Sequence, residues 1–244
     1  MSPRVRGVPG STGEGVPGST GDPSVVGVVG AGTMGAGIAE AAARAGCVVR
    51  LHDAFPDAVS RAIERIGNSL KRSVEKGRIE AAEAKAVLSR LDPAVELEQL
   101  SGAGVVIEAA PEDRDLKNEL FRRLDTACPA PTVLASNTSS LSVTSLQSVV
   151  ADPARVVGMH FFNPAPVMRL VEIIAGARSG EPALVAAEAL ARRMDKTPVR
   201  ASDTPGFIVN RVARPFYGEA LRMLGEGVAD VDVIDDAVRA LGFR

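Results

Sequence analysis

The sequence is short of aromatic residues: no tryptophan, one tyrosine and seven phenylalanines, 3% of its 244 positions. It has only two cysteines, Cys47 and Cys128, far apart and outside any metal-ligand spacing, so both read as buried or incidental thiols and no metal site is expected. Basic residues are in no excess. The formal net charge is −2 with no basic block, and nothing in that balance points to nucleic acid. No apolar run approaches the roughly 18 residues needed to span a bilayer, so no membrane segment is expected. Arg4 and Arg6 precede no apolar stretch, so there is no secretory signal and a cytoplasmic location is expected. Histidine is nearly missing too, with His52 and His160 alone. What is there is aliphatic: 45% hydrophobic and 24% charged, rich in alanine, valine and glycine. That is the composition of a soluble globular protein, long enough for one large domain, with or without a smaller helical one.

Residues 1–24 carry no apolar periodicity, and "GVPGSTG" stands at 7–13 and again at 15–21. Such a tract cannot bury enough surface to offset its ordering entropy, so a disordered leader is expected. From Val25 the pattern changes. Short apolar runs predict strands at 25–30, 47–53, 104–110, 132–137, 155–161, 167–174 and 197–201. Between them, helices are predicted at 33–46, 56–76, 80–90, 112–128 and 181–194. This alternation implies parallel βαβ units, an α/β doubly wound, mostly parallel sheet over 25–203. After Pro205 the pattern is helical, at 207–224 and 230–241, so a smaller all-helical C-terminal domain is expected over 204–244. It stops at "ALGFR" without an evident closing element and reads as cut short.

The stretch "VGAGTMGAG" contains Gly30-x-Gly32-x-x-Gly35 between the first strand and the first helix. In that context the spacing holds a dinucleotide in a Rossmann-type fold. The first glycine makes the turn, the second lets a pyrophosphate approach the backbone, and the third packs helix on strand. The helix start at Thr33 and Met34 then offers free N–H groups to the phosphates. Asp53, 21 residues after Gly32 at the end of the second strand, would accept hydrogen bonds from the adenosine ribose and repel a 2′-phosphate. NAD is thus favoured over NADP. His52 beside it reads as a strand-end residue rather than a ligand.

The stretch "HFFNPAPVMRLVEII", 160–174, holds two oddities: one of the two histidines before an Asn-Pro turn, and Glu172 inside an apolar strand. A carboxylate there is costly to bury unless something pairs with it. On the residues alone, a core histidine and an edge-strand glutamate stand open beside an acid–base pair.

Six ordered segments decide between them: "GAGTMGAGIA", "IEAAPED", "LKNELFRRLD", "SNTSSLSVTSL", "RVVGMHFFNPAPVMRLVEII" and "TPGFIVNRV". In register, from Val25 to the last residue, they resemble the short-chain L-3-hydroxyacyl-CoA dehydrogenases, including bacterial 3-hydroxybutyryl-CoA dehydrogenases. "NRVARPFYGEALRML" is most similar to the phenylacetate-pathway members that act on 3-hydroxyadipyl-CoA. The resemblance implies NAD-dependent oxidation of an L-3-hydroxyacyl-CoA to the 3-oxoacyl-CoA, or the reverse, with His160 as general base and Glu172 its partner. It places Ser139 and Asn210 at the substrate oxygen and the histidine, and Glu112, Lys117 and Asn137 at the nicotinamide and its ribose. It also matches Ser69 and Lys76 to a helical segment that approaches CoA; a solvated basic face with Lys71 and Arg72 remains open there. It further implies a homodimer through the C-terminal helical domain. A structural role like that of the related lens crystallin, or an inactive fragment of the same fold, is the alternative. The beta-hydroxyacid dehydrogenases use a lysine base and a different glycine pattern, and "HFFNP" counts against them.

Overall fold

The computed structural model describes residues 22–243; the expected leader lies, up to residue 21, outside the described residues. The strands are β1 (Asp22–Val29), β2 (Val48–His52), β3 (Leu91–Ala94), β4 (Ala103–Glu108), β5 (Val133–Ser136), β6 (Val156–Phe161), β7 (Leu170–Ala175) and β8 (Thr197–Ser202). The helices are α1 (Thr33–Arg44), α2 (Pro56–Glu75), α3 (Ala81–Leu88), α4 (Arg114–Ala127), α5 (Val143–Gln147), α6 (Glu181–Arg193), α7 (Val209–Gly225) and α8 (Val231–Ala240).

All eight strands join one sheet in the order β3-β2-β1-β4-β5-β6-β7-β8. β4, β5 and β6 are buried along their whole length, which is why they read as unbroken apolar runs. Two aliphatic cores cover the sheet. One packs α1, α2 and α6 against it through residues such as Ile38, Ile66 and Leu190. The other packs α4 and α5 through Phe121, Leu124, Val143 and Leu146. The fold is the doubly wound α/β class expected.

Four details differ from the sequence expectation. β1 begins at Asp22 rather than Val25. β3, "LDPA", is a strand that Pro93 argues against; it survives because it is the sheet's edge, where a missing donor costs no ladder bond. α5 has only five residues, too few to show a period. β7 starts at Leu170, not 167: the N–H groups of Val167 and Met168 both turn back to the Pro164 carbonyl, at 2.9 and 3.0 Å, and the Met168 carbonyl accepts from the Lys196 ammonium at 3.0 Å.

The neighbouring strands run parallel except β6 and β7, which are antiparallel. Residues 162–169 are all that join them, and a parallel crossover needs roughly a dozen or more. That short link is what brings His160 opposite Glu172.

After β8, Asp203 ties the chain back to the sheet. Its carboxylate accepts from the Ser142 hydroxyl at 2.7 Å and from the N–H groups of Val143 and Thr144 at 3.1 and 2.8 Å. Burial pushes this carboxyl up, but the bonds from Thr144, Ser142 and Val143 outweigh it and hold it below its usual value. Its contribution to stability is therefore full above the unfolded value and lost as pH falls through the lowered one. Beyond it, α7 and α8 contain no buried residue; Val212 and Leu221 are 73% and 69% exposed. Among the described residues no helix is long and apolar enough to cross a membrane.

Candidate active site

The glycine loop spans residues 30–32 between β1 and α1. Gly30 has a φ of +101°, and a Cβ on Gly35 would lie 1.7 Å from the Gly30 carbonyl oxygen, so neither position admits a side chain. Gly32 differs. A Cβ there would meet no protein atom within 4 Å, so no part of the protein fills the space over it. It lies at the start of α1, which has no side-chain cap and presents its first N–H groups outward. A cavity of about 770 Å³ opens here, lined by Gly30, Gly32, Thr33, Met34 and Asp53 among others. Asp53 is fixed in its wall: one oxygen accepts from the Ala31 N–H at 2.7 Å, the other from that of Phe55 at 3.0 Å. His52 is buried with Nδ1 3.0 Å from the Ala94 carbonyl oxygen of β3, a strand-end role.

A second cluster forms where β4, β5 and α4 meet. Glu108, at the end of β4, is fully buried, and the sequence reading passed over it. It accepts from Lys117 Nζ at 2.5 Å, Ser136 Oγ at 2.6 Å and the Ala110 N–H at 2.7 Å. Lys117, 1% exposed, also reaches the Ala110 carbonyl at 3.1 Å and Glu112 Oε2 at 3.5 Å. Glu112 Oε1 gathers the loop after β5, accepting from Thr138 Oγ1 at 2.6 Å and from the N–H groups of Ser139 and Ser140 at 2.9 and 3.1 Å. Burial pushes the Glu112 carboxyl up, yet the Thr138 hydroxyl, the Lys117 charge and the bonds from Ser139 and Ser140 together hold it below its usual value. Asn137 links this loop to β6, its Oδ1 accepting the Phe161 N–H at 2.9 Å. Asn210, on α7, has Nδ2 3.5 Å from the Ser139 carbonyl oxygen.

His160 and Glu172 are register partners across β6 and β7. Glu172 Oε2 lies 2.7 Å from His160 Nδ1, and the carboxylate is 1% exposed. Its other oxygen accepts the backbone N–H groups of Ile208 and Val209. The imidazole packs against Phe162 and Phe207, at centroid distances of 4.6 and 5.8 Å. With Nδ1 committed to the carboxylate, Nε2 makes no hydrogen bond among the described residues.

Residues 25–204 match the family described as 3-hydroxyacyl-CoA dehydrogenase, NAD binding domain, and residues 206–244 match the C-terminal domain of the same family. The chain belongs to the 3-hydroxyacyl-CoA dehydrogenase family. It is 47% identical over 88% of its length to the 3-hydroxyadipyl-CoA dehydrogenase of Escherichia coli K12, spanning 45% of that protein. To a probable 3-hydroxybutyryl-CoA dehydrogenase of Bacillus subtilis it is 45% identical over 87% of its length, spanning 74% of that protein. Among solved structures, the (S)-3-hydroxybutyryl-CoA dehydrogenase of Ralstonia eutropha superposes with a TM-score of 0.84 at 40% identity, over 86% of this chain and 74% of that one.

The family's NAD-binding domain fits the residues present: an empty approach over Gly32, a free helix start and an anchored Asp53. We expect Asp53→Ala to weaken NAD binding by about 1–3 kcal/mol through the lost charged hydrogen bonds, read by calorimetric titration. Better binding of NADP than of NAD by the parent protein would contradict that role.

Two of the expected residues lie on and just after α2. Ser69 lies on α2, its hydroxyl donating to the buried Glu40 at 3.2 Å, a carboxylate that Arg44 also holds at 2.9 Å. It lines a groove of about 200 Å³ with Gly37 and Asn163 among others, which adjoins the larger cavity at Thr33 and Arg65. Lys76 follows α2 and is exposed.

Proposed function

We propose that the protein oxidises an L-3-hydroxyacyl-CoA to the 3-oxoacyl-CoA, or runs the reverse reduction, with His160 as general base and Glu172 as its partner. The observation that carries this reading is the 2.7 Å contact between His160 Nδ1 and a carboxylate oxygen that is almost wholly buried. In the oxidation, His160 Nε2 takes the proton of the C3 hydroxyl as the hydrogen on that carbon leaves with its electron pair. NAD, when bound, accepts that hydride. Glu172 keeps the proton of the ring on Nδ1, so the neutral base presents Nε2, and it then stabilises the imidazolium that forms. Ser139 and Asn210, near each other through the 3.5 Å contact, are suited to hold the substrate oxygen. Glu112 and Asn137 are assigned to the nicotinamide end of the cofactor, and Lys117, whose buried ammonium reaches Glu112 Oε2 at 3.5 Å, acts there through that carboxylate.

The sheet domain, 25–203, thus holds the cofactor and the base, and the helical segment, 204–244, contributes Asn210. The exposed apolar side chains of α7 and α8 support pairing of that segment in a homodimer. Ser69, which lines the groove beside α2, and the exposed Lys76 after that helix are assigned to the CoA moiety. The relatives' names support two acyl groups, 3-hydroxybutyryl and 3-hydroxyadipyl. Loss of NADH absorbance is therefore to be followed with acetoacetyl-CoA and with 3-oxoadipyl-CoA. Turnover of at least one is expected. A chain that binds NADH and turns over neither does not have this activity.

A further inference from the structure

α7 begins on the acid–base pair. Glu172 Oε1 accepts the N–H groups of Ile208 and Val209, both at 2.9 Å. The opening N–H groups of a helix have no partner within it, and Ile208, in the N-cap position, supplies no side-chain cap. The carboxylate that holds His160 is thus also the cap of α7.

The backbone just before this contact is strained in a way that serves it. Gly206 has a φ of +76° and Phe207 a φ of +46°, two left-handed residues in succession. For a bulky side chain that conformation is an outlier, and such strain persists only where the surroundings over-determine it. Here they do: the Phe207 ring is 4% exposed and packs against the His160 imidazole. The turn reverses the chain so that the next two N–H groups converge on one oxygen, an arrangement that suits an anion.

We propose that the Gly206–Phe207 turn is a positioning element for the His160–Glu172 pair, which makes the base competent only while α7 is seated on the sheet. This rests on the acid–base reading above. Two backbone donors fix one oxygen of Glu172, and the other is thereby aimed at His160 Nδ1. Without α7 the carboxylate loses two of its three hydrogen-bond donors among the described residues and keeps only the imidazole to orient it. The same seating brings Asn210, the residue after Val209, to Ser139. One turn therefore couples the helical segment to the base and to the proposed oxyanion contacts together.

Because the chain has only two histidines, nitrogen-15 labelling of histidine gives two imidazoles. His160→Ala assigns them, and His52, held by Ala94, is the internal reference. Gly206→Ala puts a Cβ on a left-handed residue, 3.2 Å from the Arg211 nitrogen. Gly206→Asn adds the same Cβ on a larger side chain of a type that tolerates this conformation. The expected result is a displaced His160 Nδ1–H resonance in Gly206→Ala, an unmoved His52, and a resonance nearer the parent's in Gly206→Asn. kcat should fall in the same order while NADH affinity holds. An unmoved His160 resonance in Gly206→Ala, or a larger displacement in Gly206→Asn than in Gly206→Ala, overturns the proposal.

Should Gly206→Ala not fold, the contact is read from its other side. Glu172→Ala should move the amide resonances of Ile208 and Val209 and speed their exchange; unchanged amides overturn the proposal. If Glu172→Ala instead leaves the His160 imidazole unmoved, the acid–base pairing itself fails, whatever the Gly206 variants do.

Discussion

His160→Ala is expected to lower kcat by about 10²–10⁴-fold and to leave NADH affinity nearly unchanged. The range is that of a positioned general base, and the separation follows from where the residue sits. The cofactor cavity is built by the glycine loop and Asp53, whereas His160 faces Glu172 on the far side of the topological centre of the sheet. Glu172→Gln tests the partner. An amide keeps most of the shape and can still accept from Nδ1–H, but it cannot stabilise the imidazolium. A severe loss of kcat is therefore expected with the fold retained, read by steady-state kinetics and thermal melts. Near-parent turnover in either variant would show that the proton leaves by another route.

Much of this arrangement is legible before any coordinates. The strands that the sheet buries on both faces read as continuous apolar runs, and the glycine spacing fixes where the first strand yields to the first helix. The antiparallel step at β6 and β7 does not form part of the sequence expectation, although the short link after His160 is a signal for it. β3 is not legible, because "LDPA" has no strand-forming residue and exists only by pairing with β2 at the edge. Local preference argues against it, and tertiary pairing overrides that preference.

The site divides in the same way. Glu172 stands out because a carboxylate interrupts an apolar strand. Glu108 interrupts "GVVIEAA" in the same manner, and that signal could have found the ion pair with Lys117. What no local signal could give is the second use of Glu172. Its contact with Ile208 and Val209 spans 36 and 37 residues and depends on how the chain turns at Gly206 and Phe207. Ser69 is the opposite case: its position on α2 follows from helical period, but its engagement with Glu40 depends on how α2 packs on α1.

Lys117→Met is expected to lower the free energy of unfolding by about 3–5 kcal/mol, the usual cost of removing one partner of a buried ion pair. Lys117 and Glu108 have side chains 1% and 0% exposed, and their charged atoms lie 2.5 Å apart. Methionine fills much of the volume, so the loss is chiefly electrostatic. Glu108 would keep Ser136 Oγ and the Ala110 N–H but lose its one cationic partner among the described residues. Adding Glu108→Gln removes the stranded charge, and the double variant should recover part of the loss because the two sites are in direct contact. Lys117 also helps to hold the Glu112 carboxyl low, against a larger upward push from burial. Above the unfolded value of that carboxyl its stabilising share is present in full, and it is lost as pH falls through the lowered value. The single variant should therefore lose less on acidification than the parent does. Urea unfolding at neutral and mildly acidic pH, with unchanged m-values, measures both effects. A neutral-pH loss below about 1 kcal/mol, the scale of an exposed pair, would mean that water reaches Glu108 and that the pair is not buried in solution.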